Sequence, residues 1–303
     1  MKKISFIIHG KHRHSSAIIS GIRQAFTAPD YEIILSFTER TLHAVELAKE
    51  AANSGSGYIV GVCGDGTFNE IVNGVMQSAN KETIVGLLPH GTGNDFAKTV
   101  NVNHQTALLK QLIETASIRS IDLGLVHYKI ADGKEAQRYF DNITDIGIGG
   151  FTALKMTGIS KRWGAFLTFQ YAIVSTFLSY KHQQVKIKAD DFSYEGKILS
   201  CIMANGKYFG AGLGVAPGAK PDDGLFEIVL ASEISLWDYV KNLGNIRKCI
   251  KVNHPHMNYF SAKEVTIETP ERNLPIDMDG EFIGYSPMKA TIVPLALKFL
   301  APL

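Results

Sequence analysis

The sequence predicts a parallel α/β domain followed by a β-rich domain, on three observations. Short β-branched apolar runs alternate with helical stretches up to residue 122; glycine-dense turns sit at the carboxyl ends of two of those runs; and beyond Ile121 the pattern changes to strands joined by polar or glycine-containing turns. The expected domains are residues 1–122 and 123–290, with 291–303 (TIVPLALKFLAPL from about Ala290) returning to the first domain as a strand. The length of 303 residues suits about two domains. Hydrophobic residues at 45% and charged residues at 20% argue for a folded globular protein and against disorder or a fibrous repeat.

In chain order, ISFII, SSAIISGIRQAF, YEIILSF, LHAVELAKEAA, GYIVGV, FNEIVNGVMQS and TIVGLLP read as strand, helix, strand, helix, strand, helix, strand. Runs apolar throughout, such as Ile59–Val62 and Ile84–Leu88, suit a sheet covered by helices on both faces. In the second half, LGLVHYKI, QRYFDNITDIGIGG, VKIKAD, FSYEGKILSCIMANG, GLFEIVLAS, AKEVTIETP and PIDMDGEFIG read mostly as strands. Helical stretches near Ala165–Tyr180 and Leu236–Cys249 interrupt them.

Trp163–Tyr180 has no charged residue and approaches the length of a membrane span, yet Gln170 and its hydroxyl residues favour a buried or interfacial helix. The N-terminal MKKISFIIHG lacks the long apolar stretch and small-residue site of a signal peptide and reads as a first strand. Cys63, Cys201 and Cys249 are too scattered for metal or redox spacing, so reduced cytosolic thiols are expected. A formal charge of +2 gives no global basic field, so no nucleic-acid partner is expected.

The chemistry concentrates in two loops. In GYIVGVCGDGTFNEIVNGV, Gly64 and Gly66 let backbone approach an anion while a helix opening near Phe68 presents free N–H groups. Asp65 within that turn suits a Mg²⁺ or a polar nucleotide group, or else is a cap in a tight strand-to-helix turn. LLPHGTGNDFAKT repeats the device, with Gly91, Thr92 and Gly93 after the next strand and Asn94 or Asp95 placed to cap the following helix. Two such loops at adjacent strand ends line a crevice of the kind that binds ligands in open α/β sheets. His9, His12 and His14 lie close in sequence but lack further ligands, which favours solvated or phosphate-facing rings over zinc.

CGDGTFNEIVNG resembles the GGDGT-x-NE block, and PHGTGNDFAK the P-x-GT-x-NDFA block, of bacterial diacylglycerol kinases and their sphingosine and ceramide kinase relatives. GGDG alone also occurs in NAD kinases and phosphofructokinases. The IDLG sequence at Ile121–Gly124 and the long stretch NGKYFGAGLGVAPGAKPDDGLFEIVL resemble further motifs of the lipid kinases, and the similarity covers nearly the whole chain.

The resemblance implies a three-layer N-terminal domain of the NAD kinase and diacylglycerol kinase type and a C-terminal β-sandwich, with the active site between them. It implies ATP held by Thr38, Cys63, Gly64, Asp65, Gly66, Thr67, Phe68, Asn69, Thr92, Gly93 and Asp95, with Mg²⁺ bridging the phosphates. A structural Mg²⁺ maps onto Asp223 with the main-chain carbonyls of Lys220 and Leu225, Asp222 being the bland neighbour. Glu281 in IDMDGEFIG is the implied catalytic base, with Asp279 as its close partner. On composition alone PDDG and DGE are ordinary turns, and Thr38 reads equally well as a helix N-cap with Glu39 in the first turn. The chain departs from the family where Ile8-His9-Gly10-Lys11-His12 replaces N-P-x-x-G, although Gly10 and Lys11 could serve a phosphate, and where Cys63 replaces the first glycine of GGDGT.

The expected activity is ATP- and Mg²⁺-dependent phosphorylation of a lipid hydroxyl, diacylglycerol giving phosphatidic acid. The rivals are a kinase for a sphingoid base, another glycerolipid or NAD, and a weakly catalytic nucleotide-sensing lipid-binding module. A cytoplasmic enzyme working at the inner face of the membrane is expected, and the resemblance leaves room for a homodimer. Lys161-Arg162-Trp163, with Lys181 and His182, would dock it there or be a solvated helix end.

Overall fold

The computed structural model describes residues 1–156, 165–271 and 273–302. The chain divides into two compact units, one of Met1–Ile121 with Leu295–Leu303 and one of Asp122–Pro294. The C-terminal segment thus joins the first unit from Leu295.

In the first unit, β1 (Lys2–Ile8), α1 (Ser16–Ala25), β2 (Tyr31–Phe37), α2 (His43–Asn53), β3 (Tyr58–Cys63), α3 (Asp65–Met76), β4 (Ile84–Pro89), α4 (Asp95–Thr99) and α5 (Thr106–Glu114) follow the expected alternation. The strands form a parallel sheet in the order β2-β1-β3-β4, and Phe299 from the C-terminal strand adds beside Val85 of β4, again parallel. Their apolar runs are buried because helices cover the sheet: Ile59, Val60, Val62 and Cys63 have no exposed surface. Phe68 of α3, Phe96 of α4 and Phe299 form a three-ring cluster with centroids 5.6–5.9 Å apart. That cluster fixes the first turns of α3 and α4 side by side.

The second unit contains most of β5 (Ile118–Lys129), then β6 (Glu135–Phe140), β7 (Ile143–Gly147), α6 (Ile148–Met156), α7 (Ala165–Phe177), β8 (Gln183–Ala189), β9 (Phe192–Ile198), β10 (Ser200–Ala204), β11 (Tyr208–Phe209), β12 (Leu213–Gly214), β13 (Phe226–Ala231), α8 (Leu236–Arg247), β14 (Met257–Ala262), β15 (Glu264–Glu268) and β16 (Pro275–Met278). The long β17 (Glu281–Leu300) closes the order. One antiparallel layer runs β14-β13-β10-β7-β16 to the start of β17; further along, β17 pairs with β15, which continues to β8 and β9. Alternate residues explain the two faces. Ile146, Met203, Phe226, Ile228 and Met278 point into the core between the layers, where Phe140 stacks on Phe226 at 5.5 Å, and cutting either ring to alanine would cost about 3–5 kcal/mol. Ile143, Ala204, Val229 and Ala231 point the other way, under α6, α7 and α8.

The structure refines three readings. QRYFDNITDIGIGG, read mostly as strand, holds β6, β7 and the start of α6. The helix begins there because Gly149 and Gly150 allow a close approach that no side chain would: a Cβ on Gly149 would lie 1.6 Å from Asp145 Oδ2, and one on Gly150 1.9 Å from the Pro275 carbonyl. FSYEGKILSCIMANG is split at Leu199, whose N–H turns to the carbonyls of Ala231 and Ser232. The helix expected at Ala165–Tyr180 ends at Phe177. Among the described residues no helix is long and apolar enough to cross a membrane. Lys161, Arg162 and Trp163 lie outside the described residues.

Candidate active site

In the first unit, the loops after β3 and β4 meet through their glycines. A Cβ on Gly91 would sit 2.3 Å from Gly64 Cα, and one on Gly64 2.8 Å from Gly91 Cα, so neither position admits a side chain without moving backbone. Helix α3 begins at Asp65, earlier than expected, and its first helical hydrogen bond is donated by Phe68 N–H to the Gly64 carbonyl at 3.0 Å. The N–H groups of Asp65, Gly66 and Thr67 therefore precede the helical ladder and form an anion-binding helix start.

The cap of α4 is also different from the sequence reading. Asn94, at φ 53°, closes its own loop by accepting from Gly91 N–H at 2.8 Å and donating to the Gly91 carbonyl at 3.1 Å. The N–H groups of Asp95 and Phe96 are instead taken by Asp65 Oδ1, at 2.8 and 3.3 Å. Asp65 thus ties the first loop to the second. Burial, and then the neighbouring Asp95, push its carboxyl up to about 6 against those backbone hydrogen bonds. Two carboxylates at this spot, one held by Lys98 at 2.9 Å, are a donor set of the hard-oxygen kind that suits Mg²⁺ on a polyphosphate.

Of the remaining expected nucleotide residues, Thr92 and Gly93 line the second loop, while Cys63 at the end of β3 and Phe68 and Asn69 in α3 bury their side chains. Cys63 points into the core and does not narrow the turn. Thr38 follows β2, donates its N–H to the Ile8 carbonyl and accepts from Gly10 N–H through Oγ1, both at 3.0 Å. It does not cap a helix, because α2 starts only at His43. Its N-terminal N–H groups, those of Leu42 and Ala44, are held by Glu70 Oε1 and Oε2 at 2.9 and 3.2 Å, a role the sequence did not reveal. The loop after β1 is a short 3-10 turn, Gly10–His12, with His12 Nε2 3.1 Å from the His90 carbonyl and its ring 5.6 Å from that of His90. Burial first, then nearby cations and histidines, lowers the His9 and His90 pKa values. Among the described residues no three His, Cys, Asp or Glu side chains converge as a metal site.

In the second unit, the D-G-E segment is the turn of the β16–β17 hairpin. Asp279 at φ 51° and Gly280 at φ 83° are the two left-handed residues of a tight hairpin turn, which makes Glu281 the first residue of β17 opposite Met278. Three contacts hold the turn: Asp279 Oδ1 accepts from Ile143 N–H at 2.8 Å, Asp279 N–H donates to the Ile143 carbonyl at 2.9 Å, and Asp277 Oδ1 accepts from Gly280 N–H at 2.9 Å. Asp279 is buried and anchoring. Glu281 keeps its side chain 43% exposed, with Arg138 Nη2 3.4 Å from Oε2, so it is the group able to meet a hydroxyl.

Beneath the turn, register places Asp277 directly opposite Asp145 of β7. Burial raises both, Asp145 to about 7, and Asp145 raises Asp277 further. Ser200 Oγ donates to Asp145 Oδ1 at 2.6 Å. Neither aspartate was singled out in the sequence, since only the pairing of strands far apart in the chain brings them together.

The PDDGL loop carries Lys220, Asp223 and Leu225 together at the surface of this unit. Asp222, the neighbour read as bland, is exposed there too. Asp122 organises the loop from below: it is fully buried, its Oδ2 accepts from Gly224 N–H at 2.7 Å, and its N–H donates to the Pro221 carbonyl at 2.7 Å. Asn205 Nδ2 in turn donates to the carbonyls of Asp122 and Asp141, at 2.9 and 2.8 Å. The buried oxygens Asn142 Oδ1 and Asn205 Oδ1 accept no protein hydrogen bond. The Asp223 carboxylate and the main-chain carbonyls beside it are hard oxygen donors of the kind that suits Mg²⁺.

The diacylglycerol kinase catalytic domain family matches residues 3–126, and the YegS C-terminal NAD kinase beta sandwich-like domain family matches residues 151–301. The chain belongs to the diacylglycerol kinase family of lipid kinases. This lipid kinase is 26% identical to "Diacylglycerol kinase" of Bacillus subtilis (strain 168) over 272 residues, covering 89% of this chain and 86% of that protein. It is 28% identical to "Probable lipid kinase YegS-like" of Chromohalobacter salexigens over 260 residues, covering 85% and 80%. A solved diacylglycerol kinase chain from Bacillus anthracis str. Sterne shares the fold, with a TM-score of 0.69 at 22% identity over 99% of this chain and 97% of that one. ATP is the substrate such a kinase consumes, and a lipid is its acceptor.

Proposed function

We propose that this lipid kinase transfers the γ-phosphoryl group of Mg²⁺-ATP to the hydroxyl of diacylglycerol, giving phosphatidic acid and ADP, at a membrane surface. The observation that carries the reading is the pair of glycine loops in contact at Gly64 and Gly91, tied together by Asp65. The helix-start N–H groups of Asp65, Gly66 and Thr67, with Thr92 and Gly93, hold the phosphates. Asp65 and Asp95 would hold a Mg²⁺ on the phosphates, which would supply charge neutralisation for the transferred group. Asp223 with the carbonyls of Lys220 and Leu225 would hold a second Mg²⁺ of structural role.

Glu281 accepts the acceptor's proton as its oxygen bonds to the γ-phosphorus and the bond to the ADP oxygen breaks. Asp279 and Asp277 act through the hairpin turn, holding Glu281 in place. Arg138 orients the Glu281 carboxylate. The start of the acceptor's aliphatic part is received by an apolar cavity of about 130 Å³ between the β7-β10-β13 face and helices α7 and α8. Incubating the purified protein with labelled ATP, Mg²⁺, total lipid extract and added NAD, then identifying the labelled product by mass spectrometry, tests the assignment. Phosphatidic acid is expected; label confined to a sphingoid base or NAD would overturn it.

A further inference from the structure

Helices α7 and α8 lie side by side on one face of the second unit's sheet. Tyr239 Oη donates to Gln170 Oε1 at 2.9 Å, and the Phe177 and Tyr239 rings are 5.6 Å apart. Phe169, Ile173, Tyr239 and Ile246 turn inward and wall the cavity. The outward faces are unusually apolar for a solvated surface.

On α7 and just past it, Leu167, Tyr171 and Leu178 follow helical spacing and are 60%, 56% and 78% exposed; on α8, Trp237 and Val240 are 73% and 47% exposed. The α8 stripe runs into cations: from Lys241 to Lys248 the sequence holds Lys241, Arg247 and Lys248 and no acid. Asp238, on the same helix, is engaged in the capping box with Ser235. Ile250, half exposed and two residues past Lys248, joins the cavity's lining to this surface.

We propose that this outer face of α7 and α8 is a docking surface for an anionic lipid bilayer, set at the mouth through which the acceptor's chain enters. The inference rests on the lipid-kinase reading and names the face that meets the membrane. Large apolar side chains with an indole, next to cations, match the boundary between acyl chains and anionic headgroups, where each buried large side chain adds about tenfold to affinity and each cation about fivefold. A protein partner would need acidic residues to meet the cations, and nothing in the established reaction supplies one. A bilayer is where the acceptor already resides.

The test uses the full chain and vesicles of phosphatidylcholine with roughly one-third phosphatidylglycerol, without nucleotide or acceptor. In a Trp163→Phe background, the emission of Trp237 is expected to shift to shorter wavelength on vesicle addition and to be quenched by lipids brominated in their acyl chains. Trp237→Ser with Leu178→Ser should lower vesicle co-sedimentation by at least tenfold, and Lys241→Gln with Lys248→Gln by at least tenfold on anionic but not on neutral vesicles. All four positions are exposed, so folding is retained, which circular dichroism checks. The ratio of turnover on vesicle-borne to micelle-borne acceptor should fall at least tenfold in the same variants. Unchanged Trp237 emission, or co-sedimentation indifferent to both double substitutions, overturns the proposal. Vesicle binding with these properties but no lipid phosphorylation would instead overturn the acceptor assignment and leave the docking face standing.

Discussion

Replacing Asp65 with asparagine removes one charge and almost nothing else from the point where the two glycine loops are tied. The oxygen that accepts from Asp95 and Phe96 N–H is retained, and the new amide can donate towards the neighbouring carboxylate of Asp95. In the folded protein burial and Asp95 raise the Asp65 carboxyl from 3.8 to about 6. The folded state therefore holds the proton more tightly than the unfolded chain. Stability contributed by this group is full below pH 4 and is lost as pH rises through about 6.

The full difference corresponds to about 3 kcal/mol, and a discount for the solvent-open edge of the residue leaves about 2 kcal/mol. Asp65→Asn should thus be about 2 kcal/mol more stable than the parent at pH 8 and equal to it at pH 4. The same variant should lose phosphoryl transfer by roughly a hundredfold or more, since a carboxylate proposed to hold the phosphate-bound Mg²⁺ has gone. Urea unfolding followed by circular dichroism between pH 4 and 8.5, alongside labelled-ATP transfer, measures both. An Asp65→Asn protein less stable than the parent at pH 8, or one that keeps full transfer, would refute the reasoning.

Two further substitutions probe separate parts of the account. Gly91→Ala would force its Cβ to within 2.3 Å of Gly64 Cα, and backbone rearrangement of that kind should cost about 1–3 kcal/mol and weaken ATP binding, as read by thermal melts and calorimetric titration. Asp122→Ala leaves the half-buried Gly224 N–H without its 2.7 Å acceptor, which should cost about 1–2 kcal/mol and raise the Mg²⁺ concentration needed for half-maximal turnover.

The layers of the first unit were legible because β-branched runs bounded by glycine turns leave a local signature, and Gly64 and Gly91 sat where the sequence put them. The partners of polar groups were not legible. Asp65 caps α4 rather than its own helix, and Glu70 caps α2 from α3, since each bond joins segments some thirty residues apart that meet only after the sheet forms. The Asp145–Asp277 pair depends on β7–β16 register across 132 residues of chain, which no local pattern encodes. The hairpin at Asp279-Gly280 was readable as a turn, but the anchoring of Asp279 to Ile143, and hence the distinct exposure of Glu281, was not.

The sharpest experiment is a paired measurement on Glu281→Gln, a change that leaves the hairpin and its 2.8 Å anchor intact. Transfer of labelled γ-phosphate from Mg²⁺-ATP to dispersed diacylglycerol should fall by about 10²–10⁴-fold in kcat, with the Kd for ATP unchanged within a factor of about three. Undiminished transfer by Glu281→Gln would contradict the assignment of the proton acceptor, and loss of ATP binding would contradict the division of labour between the glycine loops and the hairpin.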